Sequence, residues 1–160
     1  MVAVVSDGSA VYGLGIYRKH SEDEKKKLVG TCAAENAKLI DFDEENIKLL
    51  GTTSFKTPVE ISKEVMSSDF LITTGNIEYH YFAGYSGGAK ALMPGVCSRN
   101  SISANHSMML DDNSSAGNFY TNPVRLDIEE AGAMVGIDYI FNVILDGHKN
   151  IIAAVAGKII

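Results

Sequence analysis

Apolar and polar positions change rhythm many times along this chain. Val2 to Val5 is a short unbroken apolar run, the pattern of a strand buried on both faces. A glycine-rich stretch from Gly8 to Gly15 follows. Ser21-Glu22-Asp23-Glu24 fits a capping box and opens a helix towards Leu28. Cys32 to Ala37 predicts more helix. Leu39, Ile40 and Phe42 predict a strand that runs into an acidic loop. Ile47 to Leu50 predicts another strand, continuing through Thr52 and Thr53. Pro58 to Met66 reads as a helix, with Val59, Val65 and Met66 apolar and Glu60, Lys63 and Glu64 polar. Phe70 to Thr74 predicts a buried strand that stops at Gly75-Asn76. Ile77 to Pro94 has no clean period. Ser98 to Leu110 reads as a helix. Asn122-Pro123 puts a cap and a first-turn proline in helix-start order, and that helix ends at Gly136. Tyr139 to Leu145 and Ile151 to Val155 predict strands around a turn at Asp146 to Asn150.

Strands alternate with helices. This predicts an α/β fold, a mostly parallel sheet flanked by helices in Rossmann-like three-layer fashion, with the last two strands closing as an antiparallel hairpin. No repeat or low-complexity linker divides the chain, so residues 1–160 read as one domain. A hydrophobic fraction of 46% against 21% charged residues fits a buried core and excludes a mainly disordered chain. Net charge is −6, from 14 basic and 20 acidic residues, which disfavours nucleic-acid or anionic-membrane binding. The one basic cluster, Lys25-Lys26-Lys27, follows three acidic residues and reads as a solvated helix face. No run approaches the roughly 18 apolar residues of a spanning helix, so no membrane association is expected. The N-terminus carries no basic leader, and Cys32 and Cys97 form no CxxC pair, so a cytoplasmic location is expected.

The chemistry concentrates after the strand at Phe70, where an open α/β sheet gathers its ligand loops. Thr74 to Lys90 holds Glu78, His80, Tyr79, Tyr81, Tyr85, Ser86 and Lys90 among glycines 75, 84, 87 and 88. Gly84, Gly87 and Gly88 either serve a tight turn or let backbone approach a ligand. Lys90 is either a solvated helix residue or a phosphate or covalent contact. His80 and His106 read equally as structural or as functional histidines, and Glu78 as a hydrogen-bond acceptor. Three general motifs can be tried. Ala89-Lys90-Ala91 fails as a Walker loop, and Arg18 stands where a dinucleotide fingerprint starting at Gly13 needs its third glycine. Gly84-Tyr85-Ser86-Gly87-Gly88 matches GxSxG literally, with Asp111 or Asp112 and His148 in hydrolase order. The predicted strand, however, ends well before Ser86.

The segment from Gly75 through Val96 and on to Ala104-Asn105-His106 resembles the signature of the nickel-pincer lactate racemase family. Weaker likeness extends over Leu50 to Ser54, Thr57 to Ile61, Asn122 to Arg125 and Asn142 to Asp146. The resemblance implies a cofactor-bearing domain of a 2-hydroxy-acid racemase or epimerase. Its cofactor would be a pyridinium mononucleotide whose sulfur arms and ring carbon bind nickel. The resemblance makes Lys90 the thioamide tether, His106 a nickel ligand and His80 one of two catalytic histidines. Gly84, Ser86, Gly87 and Gly88 would surround the cofactor. In the family's reaction hydride leaves the carbinol carbon while a histidine takes the hydroxyl proton. Return of hydride to the opposite face inverts the centre. Histidine titrates near neutrality, which suits the proton step, and imidazole with sulfur donors suits nickel.

The family's second catalytic histidine falls in a Gly-Thr-His-Arg-like segment. Here Gly15-Ile16-Tyr17-Arg18 aligns with it, so Tyr17 takes that place, with His20 a displaced candidate. The family also carries a phosphate-binding segment upstream and a further domain downstream, which makes this chain an expected fragment of a two-domain enzyme, inactive alone. The apolar stretch Ile151 to Ile160 agrees with that expectation. Implied partners are a small 2-hydroxy acid and the cofactor-maturation enzymes. The competing readings are a non-catalytic nucleotide- or phosphate-binding module and, third, the GxSxG hydrolase.

Overall fold

The computed structural model describes residues 1–6 and 20–159. Its main sheet has four strands: β1 (Val2–Ser6), β4 (Phe70–Ile77), β7 (Tyr139–Leu145) and β8 (Ile151–Gly157), in that spatial order. β1, β4 and β7 run parallel, and β8 returns antiparallel to β7 as the expected terminal hairpin. The mixed α/β architecture with a mostly parallel sheet is as expected.

Between β1 and β4 lie α1 (Glu22–Val29), α2 (Thr31–Asn36), the antiparallel pair β2 (Ile47–Thr52) and β3 (Pro58–Ser62), and α3 (Lys63–Met66). Between β4 and β7 lie the small hairpin β5 (Tyr79–His80) and β6 (Gly84–Tyr85), a 3-10 turn at Gly88–Ala91, α4 (Arg99–Ser107), a second 3-10 turn at Met108–Leu110, and α5 (Pro123–Val135). Each parallel step moves the same way across the sheet. Right-handed crossovers then put the described parts of both connections on one face. Burial agrees with this. Leu71, Thr73 and Asn142, on one side of β4 and β7, are buried, whereas Phe70, Tyr139 and Phe141, on the other, are exposed.

The helix ends follow their sequence signals. Ser21 caps α1 in a complete capping box with Glu24. Asn122 accepts from the Arg125 amide at 3.1 Å, Pro123 opens α5, and Gly136 ends it in the left-handed conformation.

Four expectations need correction. Pro58 to Met66 is a strand and one helical turn, not a helix. Val59 and Ile61 are fully buried while Glu60 between them is not, a period of two that the helical reading overlooked. β3 also pairs on its other side with the 96–98 segment, through Ser62 N–H to Val96 O at 3.1 Å and Ser98 N–H to Glu60 O at 2.9 Å. Leu39 to Phe42 forms no strand, because Asp41 turns inward to bind His20. β4 does not stop at Gly75 but runs to Ile77, because β7 pairs with it as far as Ile77–Ile144. The Ser98 to Leu110 helix is continuous only through Ser107 and tightens to a 3-10 turn beyond.

The core lies between the sheet and its connections. Ile61, Leu92, Met93, Cys97, Val124 and Ile128 are fully buried there. Each large side chain of this kind contributes about 1.5–3 kcal/mol. Gly132 lets α5 sit directly on the Gly88–Ala91 turn: a Cβ there would meet the Ala89 Cβ at 2.7 Å. Among the described residues no helix is long and apolar enough to cross a membrane.

Candidate active site

The segment that leaves β4 folds back on itself as the β5–β6 hairpin. His80 pairs with Gly84 across it, so the intervening Tyr81-Phe82-Ala83 makes the turn. Gly84 has φ +78, and a Cβ there would fall 2.1 Å from the Asn118 carbonyl oxygen, so glycine is required by packing. The Gly117 amide donates to the Gly84 carbonyl at 3.0 Å, and Asn122 Nδ2 donates to the Phe82 carbonyl at 2.8 Å. The hairpin is thus tied to the segment before α5 and to its cap.

Phe82 is buried and lies between two histidines. Its ring meets His80 edge to face at 4.7 Å and His106 edge to face at 5.0 Å. Tyr81 stacks on His80 at 5.0 Å and also meets Phe82 edge to face at 4.7 Å, so the three rings form one cluster. His106 comes from α4, whose Asn105 is buried against α5: Asn105 Nδ2 donates to Asp127 at 2.7 Å and to the Val124 carbonyl at 3.1 Å.

Lys90 stands in the 3-10 turn after Gly87-Gly88, its amide donating to the Gly87 carbonyl at 3.2 Å. Its charge reaches both histidines. Burial, then the neighbouring Lys90, His106 and Arg125, push His80 down to about 4. Burial, then Lys90, push His106 below its ordinary value. Both imidazoles are therefore neutral at pH 7. His80 and His106 thus share the Phe82 ring and the electrostatic influence of Lys90.

Other expected residues have other settings. Gly87 lies against the Asn76 carbonyl and the Asn142 side chain, and Gly88 against Arg125 Nη2. Ser86 Oγ donates to the Asn76 carbonyl at 2.7 Å and accepts from the Glu78 amide at 2.8 Å. The hydrolase reading is corrected on that ground: Ser86 closes a hairpin with backbone partners, not a strand-to-helix elbow facing a histidine. Glu78 is held by Lys149, which keeps its carboxyl below the usual range. His20 Nδ1 and backbone N–H both bind Asp41, each at 2.8 Å, with Lys25 3.7 Å from the same carboxylate. Among the described residues no contact joins His20 to His80 or His106. Tyr17 lies outside the described residues, as does the Gly8 to Gly15 stretch.

Sequence reasoning missed Arg125. It is buried on α5, donates from Nη1 to the Tyr85 carbonyl at 3.0 Å, and pairs with Glu129 one turn on. Its signal was the capped helix start, because a residue three beyond an N-cap sits on the first turn. Phe82 was also missed, being one aromatic among several.

A family model described as the lactate racemase N-terminal domain matches residues 3–117. The chain belongs to the lactate racemase N-terminal domain family. It is 34% identical over 148 residues to a lactate racemase of Thermoanaerobacterium thermosaccharolyticum, and 32% identical over 148 residues to one of Lactiplantibacillus plantarum. These alignments cover 89% of this chain but only 35% of each relative, so the chain spans about a third of their length. The structure of the lactate racemase apoprotein from T. thermosaccharolyticum superposes with a TM-score of 0.85 and 30% identity, over 98% of this chain and 37% of that one. A Thermotoga maritima protein shares the fold, with a TM-score of 0.74 at 17% identity, over 98% of this chain and 42% of that one.

Proposed function

We propose that this chain is the cofactor-bearing domain of a 2-hydroxy-acid racemase or epimerase, whose substrate is a small 2-hydroxy acid. The observation that carries the reading is that His80 and His106, from different elements, both pack against the buried ring of Phe82, with the charge of Lys90 acting on both imidazoles. Membership of a racemase domain family supports it.

The cofactor implied by the family is a lysine-tethered nickel-pincer pyridinium mononucleotide, and the residues fit it. Among the described residues no three His, Cys, Asp or Glu side chains gather to hold a metal ion. A metal at His106 would therefore need donors from a bound group, and a neutral imidazole beside soft sulfur is a suitable set. When bound, the cofactor supplies the hydride acceptor. Lys90 is the tether, a primary amine on a rigid turn. His106 gives a nitrogen lone pair to the metal. His80 handles the hydroxyl proton, with the second proton site at Tyr17 or His20. Gly84, Ser86, Gly87 and Gly88 hold the floor on which Lys90 stands.

Cofactor-maturation enzymes are partners of this reading. The test is co-production of the full-length parent with such enzymes, followed by intact mass and nickel analysis. A mass adduct on Lys90, absent from Lys90→Ala, is expected. An unmodified lysine, under conditions that load a relative, overturns the reading.

A further inference from the structure

The Ala83 backbone N–H donates to His80 Nδ1 at 3.2 Å. Ala83 is fully buried, so water is not an alternative partner for that amide. The turn that presents it is fastened on both sides. The Phe82 carbonyl accepts from Asn122, the Ala83 carbonyl accepts from the Tyr85 amide at 2.9 Å, and the Gly84 carbonyl accepts from the Gly117 amide. The His80 ring is itself packed against Tyr81 and Phe82, which also touch each other. Donor and acceptor are therefore both fixed before any ligand arrives.

A neutral imidazole has one N–H and one lone pair. Here the lone pair at Nδ1 already receives a donor, so the ring proton sits on Nε2. Neither nitrogen then has a free lone pair. To take a substrate's hydroxyl proton, the O–H bond must break, leave its electrons on oxygen, and form N–H at an imidazole lone pair. That lone pair exists only after the Ala83 contact is broken. In the opposite tautomer, Nδ1–H would face the Ala83 N–H, two donors with no acceptor between them.

We infer that the Ala83 backbone amide is a positioning group that fixes His80 as its Nε2–H tautomer, so that His80 enters the reaction as a hydrogen-bond donor and becomes a base only when the 80–83 turn opens. The catalytic meaning rests on the racemase reading above, but the tautomer does not. A donor at Nε2 suits the oxygen of a 2-oxo acid or the hydroxyl oxygen of a 2-hydroxy acid. Proton exchange at His80 is then coupled to movement of the turn rather than to the imidazole alone.

The experiment is long-range proton–nitrogen correlation on the 15N-labelled full chain at pH 7. The expected result is an acceptor-type Nδ1 and a protonated Nε2 for His80, with a scalar coupling across the hydrogen bond between the Ala83 amide nitrogen and Nδ1. A protonated Nδ1 on a neutral ring, or no such coupling, overturns the inference. Ala83→Pro removes the donor and is expected to shift His80 towards a mixture of tautomers, whereas an unchanged tautomer counts against Ala83. Should that variant not fold, the coupling in the unaltered chain decides the matter alone. An unmodified Lys90 in the mass experiment would remove the racemase reading and leave this result standing, and the converse also holds.

Discussion

Arg125 reaches from the first turn of α5 to the carbonyl of Tyr85, 3.0 Å away, and so braces the glycine turn that carries Lys90. The guanidinium is almost fully buried and is balanced by Glu129. One cation from α5 thus fixes the turn's backbone and also adds to the field that keeps His80 neutral.

Arg125→Met is expected to destabilise the chain by about 2–3 kcal/mol, because a buried carbonyl loses its donor and Glu129 loses its partner. Arg125→Lys should recover only part of this, since an ammonium cannot reproduce the planar fork. Urea unfolding of the three proteins measures both. A change below about 0.5 kcal/mol for Arg125→Met would mean that the brace is idle.

Asp127 is the second hub. It is fully buried and accepts from Thr53 Oγ1 at 2.5 Å, Thr57 Oγ1 at 2.8 Å and Asn105 Nδ2 at 2.7 Å. Asp127→Ala leaves three buried donors without an acceptor, at about 1–3 kcal/mol each. It should leave the chain largely unfolded, while Asp127→Asn, which keeps one carbonyl oxygen, should fold with reduced stability. Thermal melts followed by circular dichroism separate the two outcomes.

These hubs also mark the limit of what could be read from the sequence. The alternation of strands and helices, the caps at Ser21 and Asn122, and the final hairpin are local signals, and local physics produces them. The long match around Lys90 made that lysine and both histidines legible as candidates. Phe82 between the histidines, and Asp127 beneath Asn105, depend on contacts across dozens of residues, and no spacing rule encodes them. Pro58 to Ser62 was misread for a related reason. Val59 and Ile61 fit a strand, but Val65 and Met66 extend the apolar set into a helix-like pattern. The strand register is set by its neighbours on both sides, β2 and the Val96 to Ser98 segment.

The lowered His80 value has a definite sign in stability. The unfolded histidine binds its proton near 6.5, the folded one near 4. Between those values the unfolded chain holds more protons, so stability is full above about pH 6.5 and falls as pH drops towards 4. The loss should reach about 2 kcal/mol after allowing for partial exposure of the ring. His106 is shifted the same way and adds to it. Urea midpoints between pH 7 and 4.5 test this, and His80→Gln should flatten the slope. An equal slope in that variant would place the acid sensitivity elsewhere.

The sheet face left exposed among the described residues carries the last prediction. Val4 is 61% exposed, Phe141 49%, Phe70 40% and Tyr139 37%, and all lie on the side away from the connections. At the edge, Ile151 and Ile152 of β8 are also exposed. Contiguous apolar surface of this kind drives association, and an open strand edge adds unpaired backbone groups. The 160-residue polypeptide on its own should therefore bind a hydrophobic dye and self-associate as its concentration rises, seen by sedimentation velocity. Phe141→Glu should weaken both while changing unfolding stability by less than about 0.5 kcal/mol, because the side chain it replaces is half exposed already. A monomer that stays dye-silent at high concentration would show that this face is shielded within the chain itself.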